Sequence, residues 1–266
     1  MEQREIDREI VIACVIGDGC IVQHAKQGTY WLQLKHSPAQ RDYLLWKVGL
    51  IESTRIVKGK TFTVRSRWQQ HTNGRTYPTC TANIYGVKYF RVLRKWMYTA
   101  ARRKTVRTIL QYLTTPISVA ILFMDDGSVN RRKRKHKDGT EYFLSPTMRL
   151  ALCADLDECA TLLGWLHDRF GIDGYPVRHS RKDSAETYYI LNFNTANTRK
   201  LWDLIAPFAA GLGSMRRKFD LCFSAFPDAL PLVARVPDDQ AILGQADEMV
   251  RYPVETRGAD LNGQQN

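Results

Sequence analysis

Val11–Gly19 reads VIACVIGDG and Val119–Gly127 reads VAILFMDDG. Both are apolar runs of helical length ending in Asp-Gly, with a small domain's length of chain between them. Self-similarity at such a spacing is the mark of an internal duplication. The surroundings repeat as well. After Gly19 come the alternating stretches CIVQHAK and TYWLQLKH, and after Gly127 come SVNRRKRKHKDGTEYFLSP and TMRLAL. A helix follows in each copy, 37–51 and 155–170. Ser37 is the expected N-cap of the first, with Pro38 at its first position and Gln40 at capping-box spacing. Two further alternating stretches follow, TFTVRSRW and TYPTCTANIY in one copy, YPVRHSRK and TYYILNFN in the other. A last helix is expected over 87–103 and 195–205. The fold class expected is therefore α+β: two αββαββα repeats, each with a four-stranded antiparallel sheet. The expected divisions are 1–104, 105–220 and a partly ordered extension 221–266, with a basic linker at 100–115.

The run Ile10–Ile16 is apolar all round, which predicts a helix buried on every side. Ala13 and Gly17 are small and four apart, so a second helix can approach closely. Gly19 is expected to end the helix in the left-handed conformation. Asp18 then stands at a helix C-terminus, where a carboxylate faces like charge. One such Asp-Gly reads as a simple helix-ending turn. Two at equivalent ends of matching repeats suggest a bound cation, and Asp18, Asp126 and nearby carbonyl oxygens form a hard-oxygen set suited to Mg²⁺.

The pair VIACVIGDG and VAILFMDDG resembles the LAGLIDADG homing endonucleases. In the second half, YLTTPISVAILFMDDGS, LGWLHDRFGIDGYPV and NTRKLWDLIAPF resemble the mitochondrial omega-intron subgroup, as does KHSPAQRDYLLWK in the first. In the first motif Ile16 and Gly17 replace the acidic-small pair of the family name. The resemblance implies that the two motif helices pack along a pseudo-twofold axis and place Asp18 and Asp126 each beside a scissile phosphate. It implies two-metal phosphodiester hydrolysis with Mg²⁺, for which Ca²⁺ or Mn²⁺ can substitute. The carbonyls of Gly17 and Asp125 are candidate additional ligands, and the Asp125 side chain is expected to turn to solvent or a basic partner. The resemblance also implies a basic residue near each phosphate. Lys88 and Lys182 are the candidates, against ordinary surface lysines. Cuts across the minor groove leaving 3′ overhangs, a monomeric state and a weakly palindromic double-stranded target are implied too.

Strand alternation predicts the binding face. Phe62, Val64, Cys80, Ala82, Leu32 and Leu34 point inward. Outward are Trp31, Gln33, Lys35, Thr61, Thr63, Arg65, Arg67, Tyr77, Thr79, Thr81 and Asn83. The second copy is read as presenting Arg132, Arg134, Thr147, Arg149, Arg178, Ser180, Lys182, Asn192 and Asn194. These are side-chain types that reach base edges in the major groove. Arg131–Lys137, RRKRKHK, is expected between two strands as a phosphate-contacting hairpin tip.

Composition fits this reading. Lys and Arg number 39 against 27 Asp and Glu, a formal net charge of +12, which points to a polyanion. The six cysteines lack a CxxC pair and read as reduced, mostly buried thiols of an intracellular protein. The six histidines show no ligand spacing, so no zinc site is expected. Trp46, Trp96, Trp165 and Trp202 are expected in the core. No apolar run of membrane-spanning length occurs, and the charged N-terminus has no signal-peptide core. An RNA maturase and a non-catalytic DNA-binding protein on the same scaffold remain alternatives, although retention of both aspartates argues against the latter.

Overall fold

The computed structural model describes residues 2–24, 28–70, 74–99, 104–180 and 187–228, with backbone alone at 153 and 154. The first copy runs α1 (Gln3–Ile16), β1 (Cys20–Gln23), β2 (Tyr30–His36), α2 (Arg41–Glu52), β3 (Thr63–Gln70), β4 (Thr76–Tyr85) and α3 (Tyr89–Met97). The second runs α4 (Pro116–Asp126), β5 (Gly127–Asn130), β6 (Lys133–Lys135), β7 (Glu141–Phe143), β8 (Thr147–Ala154), α5 (Leu156–Phe170), β9 (Tyr175–Ser180), β10 (Thr187–Asn192) and α6 (Thr195–Ala209). Two short helices, α7 (Gly213–Lys218) and α8 (Asp220–Ala225), follow. Each copy builds a four-stranded antiparallel sheet, ordered β1-β2-β4-β3 and β5-β8-β10-β9. Strands β6 and β7 form a separate two-stranded ribbon. Within the extension expected after 220, α8 buries Cys222, and residues 229–266 lie outside the described residues.

The pairing registers superpose the copies. Gln33 lies between Cys20 and Asn83, and Arg149 lies between Ser128 and Asn192. That alignment carries Asp18 onto Asp126 and Gly17 onto Asp125. One apolar core runs through both copies, and α1 and α4 sit at its centre with Val11–Val15 and Val119–Met124 buried.

These two helices are locked together at both ends. At one end Glu9 of α1 is fully buried, and its carboxylate accepts from the backbone N–H of Thr114 (2.7 Å) and Thr115 (2.6 Å) and from the hydroxyls of Thr115 (2.8 Å) and Ser118 (2.8 Å). It thus caps the positive end of α4, and these bonds offset the cost of burying its charge. At the other end a Cβ on Gly17 would stand 2.0 Å from Asp125 Oδ2, so only glycine fits there.

Several local expectations change. Gly19 and Gly127 are not left-handed; neither is among the positive-φ glycines. They are glycines because a Cβ would stand 2.2 Å from Cys14 O or 2.4 Å from Phe123 O, as the chain folds back on the last helical turn. Ser37 precedes a 3-10 turn, Pro38–Gln40, and its hydroxyl meets the Gln40 side chain (3.4 Å) rather than capping backbone N–H groups. The helix expected to reach 103 stops at Met97, because Tyr98 turns extended and bridges to Lys104. The second-copy helix expected over 155–170 starts at Leu156, with Asp155 as its cap, accepting from Glu158 N at 2.8 Å. Trp202 and Trp165 are buried and Trp46 packs against the core, but Trp96 is 45% exposed and stacks on Tyr112.

Candidate active site and nucleic-acid interface

The C-terminal ends of α1 and α4 bring three carboxylates together, and these have different jobs. Asp125 is buried. Its Oδ1 accepts from Tyr43 Oη (2.7 Å) and Lys47 Nζ (2.8 Å), and its Oδ2 accepts from the backbone N–H of Asp18 (2.9 Å). The Lys47–Asp125 pair is closed to solvent on both sides. Burial would raise the Asp125 pKa, but the charge of Lys47 and the hydrogen bonds from Lys47 and the Asp18 amide bring it below the usual carboxylate value. Asp125 has therefore found the basic partner expected for it, and it positions Asp18 through the backbone.

Asp18 and Asp126 are compensated less fully, by lysine charges alone. Burial, then the charge of Asp125, raises Asp18. Burial, then Asp18 and Asp125, pushes Asp126 up to about 7. Asp18 disfavours the charge of Asp126, and two such carboxylates are hard-oxygen donors whose repulsion a divalent cation would relieve.

Two lysines face this centre in matching ways. Lys104 Nζ donates to the carbonyls of Val15 (3.1 Å), Ile16 (3.1 Å), Gly19 (3.1 Å) and Gly17 at the end of α1. Lys218 Nζ donates to the carbonyls of Met124 (2.5 Å) and Asp125 (2.9 Å) at the end of α4. Each ammonium sits on the negative pole of one motif helix. Burial lowers the pKa of both, and the aspartates pull it back up.

The carbonyls of Gly17 and Asp125, expected as candidate ligands, each accept from one of these ammonium groups, which leaves each oxygen a second lone pair. Lys88, exposed at the start of α3, is not among the cations bearing most strongly on Asp18 or Asp126; Lys104, Lys218 and, for Asp18, Lys47 are. Lys182 lies outside the described residues. Sequence reading placed Lys104 inside a linker and Lys218 at the edge of an extension. The signal available was a lone lysine after each third helix, visible only once the copies are superposed.

His36, at the end of β2, joins Asp18 and Asp125 in a group whose potential ligand atoms lie within 4.8 Å of one another. Burial first, then Lys47, lowers its pKa to about 3, so the ring is neutral.

The open sheet faces carry the polar residues. In the first copy Trp31, Gln33, Lys35, Thr63, Arg65 and Arg67 share one face with Thr79, Thr81 and Asn83, as alternation predicts. Arg65 and Arg67 are exposed, and Gln33 Nε2 donates to Asn83 Oδ1 (3.0 Å). Thr79 and Thr81 lie on this face but are buried, which withdraws them from direct contact with a ligand. In the second copy Thr147, Arg149 and Asn192 share the open face, where Asn192 is buried as Thr79 and Thr81 are. Arg178 and Ser180 do not. Arg178 pairs with Tyr189, and Ser180 with Thr187, in the parity of buried Leu191. Edge strand β9 leaves these core-side positions exposed, so the outward assignment fails there and Val177 and His179 take the open face. Asn194 is a helix cap, accepting from Asn197 N at 2.9 Å. Arg132 and Arg134 are exposed and belong to the β6–β7 hairpin region rather than to the main sheet.

The fold and site define a class: a duplicated α+β protein with paired aspartates at the joint of two buried helices, beneath two polar, arginine-bearing sheet faces. The chain belongs to the LAGLIDADG DNA endonuclease family, whose profile matches residues 8–201. The homing endonuclease I-WcaI, solved bound to its DNA recognition sequence, has a similar fold, with a TM-score of 0.60 and 17% identity over 82% of this chain and 87% of that one. Among curated proteins, Protein RecA of Mycobacterium gastri is 29% identical over 210 residues, 76% of this chain and 44% of the relative. Protein RecA of Mycobacterium leprae is 27% identical over 207 residues, 76% of this chain and 26% of the relative. The chain thus spans less than half the length of these relatives.

Proposed function

We propose that the protein is a site-specific endonuclease that cuts both strands of double-stranded DNA. The observation that carries this reading is the pairing of Asp18 with Asp126, each beside a helix end that bears a half-buried lysine. Asp18 and Asp126 would hold divalent cations, Mg²⁺ by the oxygen character of the set. When bound, such ions activate water and stabilise the leaving 3′ oxygen. Water oxygen forms the new bond to phosphorus, the P–O3′ bond breaks, and the 3′ oxygen leaves as a hydroxyl after gaining a proton. Lys104 and Lys218 place positive charge beside the aspartates, where they stabilise the charge developing on phosphate. Asp125, Tyr43 and Lys47 are positioning residues for Asp18. Cuts across the minor groove with 3′ overhangs follow from the family.

The two sheet faces would each read one half of the target in the major groove. Their side chains differ, so the target is weakly palindromic, and one chain supplies both halves, so a monomer suffices. We read the match to the Mycobacterium gastri and Mycobacterium leprae proteins called RecA as a match to an endonuclease segment carried within them, because it covers less than half of each of these two.

The test is cleavage of a randomised DNA-site library with Mg²⁺, with and without a chelator. Enrichment of one long site, lost on chelation, is the expected result; no enriched site removes the reading. Binding should also weaken with salt. If about 8 phosphates are neutralised, log K falls against log salt with a slope of roughly −7. A slope near zero overturns the proposed DNA-binding face.

A further inference from the structure

His36 ends β2 in the same parity as buried Leu32 and Leu34, so it reaches the motif-helix ends from the core side of the sheet. Its side chain is 1% exposed, and neither ring nitrogen makes a hydrogen bond of good geometry, although the Gln40 side chain approaches the ring. Buried polar groups are normally satisfied, so such a ring needs an explanation. Nδ1 lies 3.5 Å from Asp18 Oδ2. Two ligand bonds of about 2.1 Å to one ion, at angles of about 90–110°, separate the ligand atoms by about 3.0–3.4 Å. The pair therefore matches a chelate with little rearrangement. With the ring proton on Nε2, Nδ1 presents a lone pair toward Asp18, and the neutral imidazole is the form that binds metal. Asp125 does not compete for the ion, since Tyr43, Lys47 and the Asp18 amide occupy its oxygens. A pocket of about 260 Å³ opens beside the pair, lined in part by Lys35, Ser37 and Gln40.

The second copy lacks this nitrogen. Three residues beyond Arg149, as His36 is three beyond Gln33, stands Leu152, which packs against the core. The two half-sites are thus chemically unequal even though their aspartates are equivalent.

We propose that His36 Nδ1 and Asp18 form a mixed nitrogen–oxygen cation site that takes Mn²⁺, and ions such as Co²⁺ or Zn²⁺, in preference to Mg²⁺. The second half-site offers oxygen alone. This rests on the metal-dependent reading above. The physical basis is that imidazole suits first-row transition ions, whereas Mg²⁺ favours oxygen ligands.

The test uses the full chain labelled with ¹⁵N at histidine, loaded with Mn²⁺ and followed by pulsed electron paramagnetic resonance. A histidine nitrogen coupling is expected in the unaltered chain and in Asp126→Asn, and its loss in His36→Leu and Asp18→Asn. His36→Leu, which copies the second half, should weaken the tighter Mn²⁺ site by about 10-fold or more, with Mg²⁺ affinity changing by less than about 3-fold. The unaltered chain decides the matter even if a variant fails to fold. Bound Mn²⁺ without nitrogen coupling overturns His36 as a ligand and leaves the paired-aspartate reading standing. A coupling that survives in folded His36→Leu also overturns it. If no Mn²⁺ binds, both readings fall.

Discussion

The two copies agree at the paired aspartates and differ almost everywhere around them. Asp18 and Asp126 are equivalent, and Lys104 and Lys218 meet the helix ends in the same manner. One residue earlier, however, Gly17 faces Asp125, and the carboxylate of the second copy fills the space that glycine leaves in the first. The first copy contributes Tyr43 and Lys47 to hold that carboxylate. On the open sheets, Arg65 and Arg67 of the first copy correspond by register to Val177 and His179 of the second. A duplicated protein can keep its chemistry symmetric while one half is specialised to support the other.

The largest effect should come from breaking the symmetric part. Asp18→Asn or Asp126→Asn should each lower double-strand cleavage by at least about 10³-fold, about 4 kcal/mol in activation free energy. Specific DNA binding should persist. Plasmid linearisation and gel shift read the two properties separately, and wild-type cleavage by the double variant would refute the assignment.

Next comes the asymmetric support. Lys47→Met leaves Asp125 charged and without its buried partner, which should cost about 3–5 kcal/mol of stability in denaturant unfolding. A loss below about 1 kcal/mol would mean that the pair is unimportant to the interlock.

The Gly17–Asp125 contact can be isolated in a double-mutant cycle. Gly17→Ala should cost about 1–3 kcal/mol by overpacking, and much less when Asp125→Gly is already present, because that change removes the Asp125 Cβ as well as its carboxylate. Additive losses would show that the two positions are independent.

The smallest effects concern the reading faces. Arg65→Ala and Arg149→Ala should relax base preference in opposite half-sites, by about 1–3 kcal/mol for a bidentate guanine contact. Arg178→Ala, on the core-side face of β9, should change preference less than either. Profiling all three against single-base target variants tests the parity. Relaxation of one shared half-site by Arg65→Ala and Arg149→Ala would break the two-copy comparison itself.

Much of this architecture is legible in the chain. Periodicity alone marks strands and helices, and the two Asp-Gly ends give the duplication because helix burial leaves an all-apolar run that recurs intact. The face of β4 and of the first half of β3 is also legible, because apolar Val64, Cys80 and Ala82 alternate there with polar neighbours. On β9 the same rule misleads. Edge strands have unburied core-side positions, and these admit Arg178 and Ser180 as readily as an open face does.

The sequence by itself determined the duplication, the paired sheets, the two aspartates and the basic character. Each of those follows from local pattern or composition. Only the tertiary structure decided which lysines serve the centre, that Asp125 is a buried brace, and that His36 stands 3.5 Å from Asp18. Those facts depend on groups far apart in the chain meeting at the ends of two buried helices. Nothing in local spacing records such a meeting, because long-range packing, rather than periodicity, sets the distances.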